Sequence, residues 1–269
     1  MLVSIIITTY NRPLALDRVL ASLANQSILP TEIIIADDGS DSDTALLINS
    51  WQSLMPCPLK HVWQSDNGFR AAGARNRAVA ASIGDYLIFL DGDCLVFRNF
   101  VKNHIALQEH GWMVIGSRIL CNKTFTRDIE QKNVAPLSWN IFSWIKSRLD
   151  KQVNRIFPLI ILPNISLRKL RSSRWKGIRT FNLAVWRKDF ISINGFDEAF
   201  QGWGHEDADL AVRLLKIGVK RKDGQFSLPV LHLWHQESSR LNEAENFQRL
   251  KSRIADNVTI SDVGLNQYI

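Results

Sequence analysis

In residues 202–210, GWGHEDADL, a histidine and three carboxylates follow directly after a tryptophan that stands between two glycines. A flat indole can stack on the apolar face of a ligand ring, and neighbouring carboxylates can accept hydrogen bonds from hydroxyl groups. Asp207 tops an apolar helical stripe continued by Leu210 and Leu214, which predicts that its side chain points into the molecule, where it could act as a general base. The alternative is that these acids only favour the first turn of a helix.

A second acidic pair, Asp91 and Asp93, flanks Gly92 directly after the apolar run YLIFL. The glycine allows a tight turn, so both carboxylates can approach one point. Two hard oxygen ligands in this arrangement suit Mg²⁺ or Mn²⁺ that carries a diphosphate. The alternative is an ordinary turn, because Asp-Gly is a common turn dipeptide.

Strands that alternate with helices must position these residues. Apolar, β-branched runs predict strands at 2–10, 31–40, 59–67, 85–93 and 112–120, and helical spacing predicts helices at 12–26, 41–54, 71–84 and 99–110. This alternation indicates an α/β fold with a mostly parallel central sheet and helices on both faces. Ligands of such sheets bind beyond the carboxyl ends of the strands, where the polar residues of this chain gather.

The composition is that of a globular protein, with 269 residues, 46% hydrophobic and 22% charged, and it predicts one large domain with a variable insertion. The three cysteines form no CxxC pair, so neither a disulfide framework nor a cysteine zinc site is indicated, and a reducing cytoplasm is expected. The first apolar run is too short for a signal peptide or a membrane span.

The net charge of +7 is concentrated in residues 139–179, which hold ten Lys/Arg and one acidic residue. Trp139, Trp144 and Trp175 lie in or beside this basic run, together with the apolar stretch IFPLIILP. Tryptophans beside cations suit a membrane surface with anionic headgroups. The alternative is an irregular lid whose aromatic side chains pack onto the domain. No nucleic-acid recognition motif accompanies the basic charge, so nucleic acid is not predicted as a partner.

The motifs SIIITTYNR, IIIADDGS, NGFRAAGARNRAV and YLIFLDGDC, in this order, resemble the family 2 glycosyltransferases of the GT-A fold. The segment NLAVWRKDFISINGFDEAFQGWGHEDADLAVRL resembles an acceptor-side segment of β-1,4-galactosyltransferases, polypeptide N-acetylgalactosaminyltransferases and bacterial chondroitin-type polymerases. The resemblance covers about residues 3–116 and 182–235 and fails between them. It implies a Rossmann-like GT-A domain over 1–269, with a nucleotide-sugar-binding half at 1–120, a basic insertion at 121–178 and an acceptor-binding half at 179–269.

The resemblance also implies a UDP-sugar donor and assigns residues to it. Asp38 would accept a hydrogen bond from the imide N–H of uracil, and Asp91 would approach the ribose. Arg75 would offer a planar cation to base or phosphate, the alternative being an ordinary solvated helix face. The full set of donor-binding residues that the resemblance implies is Thr8, Tyr10, Arg12, Asp38, Asn67, Arg75 and Asp91.

Metal, acceptor and catalytic roles follow from the same resemblance. Asp93 would bind Mn²⁺ or Mg²⁺ directly, with a downstream histidine as a further ligand, and the position in the motif favours His235 over His232. Asp207 would be the general base. The residues that would contact the acceptor are Trp203, Glu206 and Asn182.

The resemblance therefore implies a metal-dependent, inverting hexosyl- or N-acetylhexosaminyltransferase that acts on a glycan or glycolipid hydroxyl. Bacterial surface polysaccharide or lipopolysaccharide synthesis, at the inner face of the cytoplasmic membrane, is the expected setting. A nucleotidyltransferase that makes a nucleotide sugar is one alternative, but it would want a glycine-rich, lysine-bearing loop where this chain has TTYNRP. The other alternative is an inactive membrane-surface module, against which the intact Asp91, Asp93 and Asp207 argue.

Overall fold

The computed structural model describes residues 1–236 and 239–269. Its strands are β1 Val3–Thr9, β2 Glu32–Asp37, β3 Leu59–Trp63, β4 Tyr86–Asp91, β5 Cys94–Val96, β6 Trp112–Ile115, β7 Ser117–Leu120, β8 Asn182–Trp186, β9 Lys220–Asp223 and β10 Pro229–His232. Its α-helices are α1 Pro13–Ala24, α2 Ser42–Leu54, α3 Ala71–Ala80, α4 Phe100–Leu107, α5 Lys123–Gln131, α6 Ile141–Leu149, α7 Arg187–Ser192, α8 Glu206–Lys216 and α9 Glu243–Ala255. The strands and helices predicted in the first 110 residues are confirmed, with shorter ends.

The central sheet has seven strands in the order β3-β2-β1-β4-β8-β6-β9. Strands β1 to β4 pair in parallel, β8 is antiparallel to β4 and β6, and β9 is parallel to β6. Apolar side chains on the two faces of this sheet form two separate cores. The predicted α/β class with a mostly parallel sheet between helices is therefore confirmed.

Strand register fixes where the polar side chains lie. Thr8 of β1 pairs with Asp91 of β4, and Thr9 pairs with Asp37 of β2. Because these strands are parallel, their carboxyl ends meet at one edge of the sheet. The residues that follow β1, β2 and β4 therefore border the same opening.

The stretch WMVIGSRIL, predicted to be one strand, forms two. β6 belongs to the central sheet, whereas β7 belongs to a three-stranded sheet of order β5-β10-β7. Gly116 lies between β6 and β7, where the chain passes from one sheet to the other. A Cβ at Gly116 would lie 1.9 Å from the Asn182 side chain. Only glycine fits this approach.

Asn182 does not reach the predicted acceptor site. Its side chain is fully buried, and its amide nitrogen donates a 2.9 Å hydrogen bond to the carbonyl of Leu228. Its amide oxygen lies 3.0 Å from His104 Nε2. Burial lowers the pKa of His104 to about 3, so the imidazole is neutral and can donate to this oxygen. Asn182 therefore joins the two sheets, a structural task that the motif did not reveal.

The tryptophans of the basic insertion face inward. Trp144 is buried and packs edge-on against Trp139 at a ring distance of 5.5 Å, and Trp175 is partly buried against the core. Arg168 is also buried, and its guanidinium donates to backbone carbonyls such as those of Asp223 and Gln225. These side chains pack onto the domain, as the alternative of an irregular lid predicts. Within the described ranges, no helix combines the length and apolarity that crossing a membrane requires.

Other apolar side chains of the insertion lie on the surface. In α6, Trp144 and Ser147 are buried on one side. The period of about 3.6 residues per turn puts four exposed apolar residues on the opposite side, within an arc of about 100°. These four residues form the exposed face of α6: Ile141, Phe142, Ile145 and Leu149. Lys146 and Arg148 flank this face on its two sides, so the helix presents an apolar stripe bordered by cations.

Candidate active site

A cleft of about 530 Å³ opens at the carboxyl ends of β1 and β4. The predicted site residues that line it are Thr8, Tyr10, Arg12, Asp38, Arg75, Asp91, Asp93, Trp203, Glu206, Asp207, His232 and His235. Residues from distant parts of the sequence therefore meet in one place. Asn67 is exposed on the loop between β3 and α3 and is not part of the cleft lining.

The backbone of the GWG segment is unusual. Gly202, Gly204 and His205 all have positive φ, at 74°, 110° and 75°. Left-handed backbone is costly for a residue with a Cβ, so His205 is held there by its surroundings at the start of α8. The turn leaves the Trp203 ring on the cleft wall, where the guanidinium of Arg240 lies 4.6 Å from its centre.

The three carboxylates of GWGHEDADL have separate environments. Asp207 is buried, as predicted, and its Oδ1 accepts a 2.9 Å hydrogen bond from the Thr180 hydroxyl. Its Oδ2 makes no hydrogen bond to any part of the chain that the structure describes, and the residue borders the cleft. Asp207 can therefore receive a proton from a molecule in the cleft.

Asp209, two residues further on, has a structural task. It is fully buried, and its carboxylate pairs with Arg213 Nε at 2.7 Å and with Arg253 Nε at 2.9 Å. Arg253 belongs to α9, so this ion pair ties α8 to α9. Such a buried pair leaves Asp209 unavailable for chemistry in the cleft.

Glu206 lies between a carboxylate and a cation. Its side chain is 11% exposed, and Oε1 lies 3.6 Å from Arg75 Nη1. Burial, strengthened by the neighbouring charge of Asp207, raises the pKa of Glu206 to about 7. Glu206 can therefore donate a hydrogen bond at neutral pH more readily than an ordinary glutamate.

Arg75 links the two halves of the site. It is only 4% exposed, which excludes the solvated helix face as its environment. Its Nε donates to Thr8 Oγ1 at 2.9 Å, and its Nη2 lies 3.3 Å from Asp91 Oδ1. With Glu206 on Nη1, one guanidinium connects the end of β1, the end of β4 and the start of α8.

The DGD turn is held close to β1. Gly92 donates its N–H to the Thr8 carbonyl at 2.8 Å, and a Cβ at Gly92 would lie 2.9 Å from that oxygen. The glycine is therefore needed for the approach of the two backbones. Asp93 then lies beside Arg12, whose Nη1 donates to Asp93 Oδ2 at 2.9 Å. Arg12 borders the predicted metal ligand, and its Nη2 pairs with Glu130 at 3.0 Å.

Both histidines of HLWH face Asp93. His232 Nε2 lies 3.6 Å from Oδ1, and His235 Nε2 lies 3.7 Å from Oδ2. The other ring nitrogen of His235 lies 2.9 Å from the Gln236 carbonyl, and donation to this oxygen would leave Nε2 as the ligand atom. One carboxylate with an imidazole on each side can hold a divalent metal ion; the carboxylate oxygens suit Mn²⁺ or Mg²⁺, and the imidazoles suit transition metals in general. The ligand atoms of Asp93, His232 and Cys94 lie within 4.8 Å of one another, but burial raises the pKa of the Cys94 thiol well above the ordinary value, which keeps it protonated.

Asp38 lies at the far end of the cleft and is nearly buried. Its carboxylate accepts a hydrogen bond from the Arg70 backbone N–H at 2.8 Å and another from Gln64 Nε2 at 2.6 Å. These bonds fix the orientation of the carboxylate against the loop before α3. Carboxylate oxygens have further lone pairs, so Asp38 can also accept from a base.

Several cleft residues were not predicted. They are Arg118 on β7, Arg179 and Thr180 just before β8, Phe181, and Glu243 at the start of α9. Thr180 precedes the FNLAVW motif directly, and this position was the available sequence signal. Arg118 and Glu243 gave no signal, because neither belongs to a recognisable motif.

The fold is that of the GT-A glycosyltransferases. The mannosyltransferase PcManGT from Pyrobaculum calidifontis, solved with GDP-Man and Mn²⁺, superposes with a TM-score of 0.65 at 16% identity, covering 94% of this chain and 64% of that chain. GalNAc-T7, solved with UDP, GalNAc and Mn²⁺, gives a TM-score of 0.64 at 17% identity, covering 94% of this chain and 48% of that chain.

The chain belongs to glycosyl transferase family 2, which it matches over residues 4–169. Residues 165–256 match a second family, described as the N-terminal domain of galactosyltransferase. The family 2 match runs through most of the basic insertion, beyond the point at residue 116 where the sequence motifs stop. The division of the domain at residues 120 and 178 stays a prediction.

The curated relatives are named as glycosyltransferases or polysaccharide synthases. The chain is 30% identical to validoxylamine A glucosyltransferase of Streptomyces hygroscopicus subsp. limoneus, over 81% of this chain and 49% of the relative. It is 29% identical to hyaluronan synthase of Pasteurella multocida, over 87% of this chain and 24% of the relative. The chain thus spans at most about half the length of these two relatives.

Proposed function

We propose that the chain transfers a hexosyl or N-acetylhexosaminyl group from a UDP-sugar to a hydroxyl of a glycan or glycolipid, with inversion. The observation that carries this proposal is the shared cleft of Asp91, Asp93 and Asp207. The groups at one end of the cleft would hold a nucleotide diphosphate, and a carboxylate at the other end would accept a proton. The names of the relatives support the same reaction class.

Binding of the donor rests on the first half of the chain. Asp38 would accept the imide N–H of uracil, and Thr8 and Tyr10 would border the nucleotide. Asp91 would face the ribose, held in place by Arg75. A neighbour solved with UDP supports a uridine donor, whereas another neighbour was solved with GDP-Man. Asp38 would be the residue that selects uracil over guanine.

A divalent cation, Mn²⁺ or Mg²⁺, would be held by Asp93 with His235 or His232 and would neutralise the departing diphosphate. The protein's own part is to present these donor atoms together. Arg12 keeps the Asp93 carboxylate at the cleft through its ion pair. Neighbours solved with Mn²⁺ support this cofactor.

Chemistry would take place at Asp207. Thr180 holds Oδ1, and Oδ2 would accept the proton of the acceptor hydroxyl as that hydroxyl attacks the anomeric carbon. Attack from the face opposite the diphosphate inverts the anomeric configuration. Glu206 would hydrogen-bond the acceptor, and Trp203 would stack on its ring.

The setting we propose is an anionic membrane surface, with the enzyme on the cytoplasmic side in synthesis of a bacterial surface polysaccharide or lipopolysaccharide. The support is the exposed face of α6, on which Phe142 and Leu149 are 77% and 75% exposed. Apolar side chains bordered by Lys146 and Arg148 suit insertion between anionic headgroups. The tryptophans, which were the sequence argument, pack inward and take no part.

A donor screen tests the reaction. The protein is incubated with Mn²⁺ and UDP-glucose, UDP-galactose, UDP-N-acetylglucosamine, UDP-N-acetylgalactosamine, UDP-glucuronate or GDP-mannose, and nucleotide release is measured. We expect release from at least one UDP-sugar, and its loss when EDTA is added. Release from GDP-mannose alone would contradict the uridine donor, and no release from any donor would contradict sugar transfer.

A further inference from the structure

Two arginines of the cleft, Arg118 and Arg179, make no ion pair with the residues that the structure describes. Within residues 1–236 and 239–269, no carboxylate lies in ion-pair distance of Arg118 or Arg179. Arg118 lies over the Phe181 ring at 4.8 Å. Among the described residues, the Arg179 side chain donates to the carbonyl of Ile178 alone, at 3.3 Å.

The other two arginines that line the cleft are already neutralised. Arg12 pairs with Asp93 and Glu130, and Arg75 pairs with Asp91 and Glu206. The contrast marks Arg118 and Arg179 as cations available to a molecule in the cleft.

Arg179 lies on the acceptor side of the cleft. Arg118 lies between this side and the predicted metal site, since it is close enough to His232 to lower the pKa of that imidazole, after the larger effect of burial. Thr180, which holds Asp207, stands between Arg179 and Phe181 in the chain, and Phe181 is the ring under Arg118. Arg179 is also close enough to His205, beside Trp203, to lower the pKa of that histidine, after the larger effect of burial. Arg179 therefore borders the place where the acceptor hydroxyl would meet Asp207, and Arg118 lies between this place and the predicted metal site.

The acids that line the cleft indicate what kind of molecule Arg118 and Arg179 would bind. The cleft walls carry the carboxylates of Asp38 and Asp207, together with four acids that pair with arginines, Asp91, Asp93, Glu206 and Glu243. An acceptor with a negative group would be repelled by these acids unless cations faced that group. A guanidinium binds carboxylate or phosphate through two parallel N–H donors, and an aromatic ring beneath it fixes its plane.

We propose that Arg118 and Arg179 form a subsite for a negatively charged group, carboxylate or phosphate, carried by the acceptor close to its reacting hydroxyl. The inference rests on the proposed sugar transfer and narrows its acceptor to anionic glycans or glycolipids. The guanidinium of Arg118, held over Phe181, supplies the directional contact, and the exposed Arg179 supplies a second cation at the mouth of the cleft.

The test compares acceptors that differ only in charge. One pair is 4-nitrophenyl β-glucuronide and 4-nitrophenyl β-glucoside, and the other is a GlcNAc joined to an undecyl chain through a diphosphate or directly. Transfer is measured with the donor that the screen identifies, and kcat/KM for each charged acceptor is divided by the value for its neutral match. The pair with the larger ratio tells whether the charge belongs to a uronate or to a phosphate.

We expect the parent to favour one charged acceptor, and Arg118→Gln and Arg179→Gln to lower that ratio by about 10- to 100-fold, as for loss of a charged hydrogen bond. Arg118→Lys, which keeps the charge, should recover part of the ratio. Arg127→Gln, an exposed arginine on α5 outside the cleft lining, is the matched control and should keep the parental ratio.

Three results would overturn the subsite. The parent could transfer sugar without preferring either charged acceptor. The variants could also lower kcat/KM for charged and neutral acceptors by the same factor. UDP affinity with Mn²⁺ could also fall as far as the ratio does, which would assign Arg118 to the donor diphosphate. A parent that neither hydrolyses donors nor transfers sugar overturns the proposed function itself, and the subsite with it.

Discussion

The hydroxyl of Thr180 donates a 2.9 Å hydrogen bond to Oδ1 of Asp207. Thr180 precedes β8, and Asp207 is in the first turn of α8, so the bond joins two separate segments of the acceptor half. It fixes one carboxylate oxygen and leaves the other towards the cleft. The helix-start explanation for Asp207 requires no such partner, because a solvated acid would serve equally well there.

Asp207→Asn keeps the shape of the side chain but cannot take a proton. We therefore expect transfer to fall by about 10²- to 10⁴-fold while donor affinity stays near the parental value. Asp209→Asn is the matched control on the same helix. It breaks the buried pair with Arg213 and should cost about 3–5 kcal/mol of unfolding free energy. Transfer rates and UDP-sugar calorimetry measure the loss of catalysis in Asp207→Asn, and urea melts measure the loss of stability in Asp209→Asn. Near-parental transfer by Asp207→Asn would show that Asp207 is not the general base.

Asp93→Asn removes a charged ligand from the predicted metal site. UDP binding with Mn²⁺ should weaken by at least about tenfold, whereas binding without metal should change little. Calorimetry in both conditions measures the difference, and equal UDP affinity of variant and parent with Mn²⁺ would refute the assignment. His235→Ala and His232→Ala in the same assay decide which imidazole is the ligand, a choice on which the distances of 3.7 and 3.6 Å to Asp93 do not differ.

Glu206 makes the stability of the protein depend on pH. Its pKa in the folded chain, about 7, is above the ordinary value of 4.5, so the folded state holds this proton more tightly. Stability is therefore lost as pH rises from about 4.5 to about 7. Glu206→Gln should not show this loss, and its unfolding free energy relative to the parent should rise by at most ~3 kcal/mol between pH 4.5 and 8. Urea melts at both pH values measure this change. Glu245→Gln, at an exposed carboxylate, is the control. The prediction would be contradicted if the unfolding free energies of Glu206→Gln and the parent changed in parallel with pH.

Asp38→Asn tests recognition of the base. The amide can still accept from the Arg70 N–H, so the loop before α3 keeps its anchor. UDP affinity should fall by about 1–3 kcal/mol, because a charged acceptor for the imide N–H is lost. CDP, which has no such N–H, should lose less. Asp43→Asn, at an exposed carboxylate on α2 outside the cleft lining, serves as control. An unchanged ratio of UDP to CDP affinity in Asp38→Asn would make Asp38 a turn residue only.

Phe142→Ser combined with Leu149→Ser tests the membrane surface. Each buried apolar side chain is worth about 1.5–3 kcal/mol, so binding to phosphatidylglycerol vesicles should fall by at least about 100-fold. Leu46→Ser changes an exposed leucine on α2 and should bind like the parent. Salt should also weaken binding, since exposed charges are screened within about 10 Å at 0.1 M. Equal sedimentation of variant and parent with vesicles would contradict membrane binding through the exposed face of α6.

The amino-acid sequence alone determined the order of strands and helices in the first half and the polar residues at the strand ends. It also determined the inward direction of Asp207. These are local properties, because apolar periodicity and turn residues act over a few positions along the chain. The motif order then supplied the family, and nearly all of the site residues it named lie in one cleft.

Only the tertiary structure decided which partner each side chain has. Arg75 is a buried link between Asp91 and Glu206, Asn182 joins two sheets, and Arg168 is a buried anchor rather than a surface cation. Periodicity tells which face of an element is covered but not what covers it, and these contacts join residues far apart in the sequence. The split of β6 from β7 has the same cause, since Gly116 is required only because Asn182 packs against it.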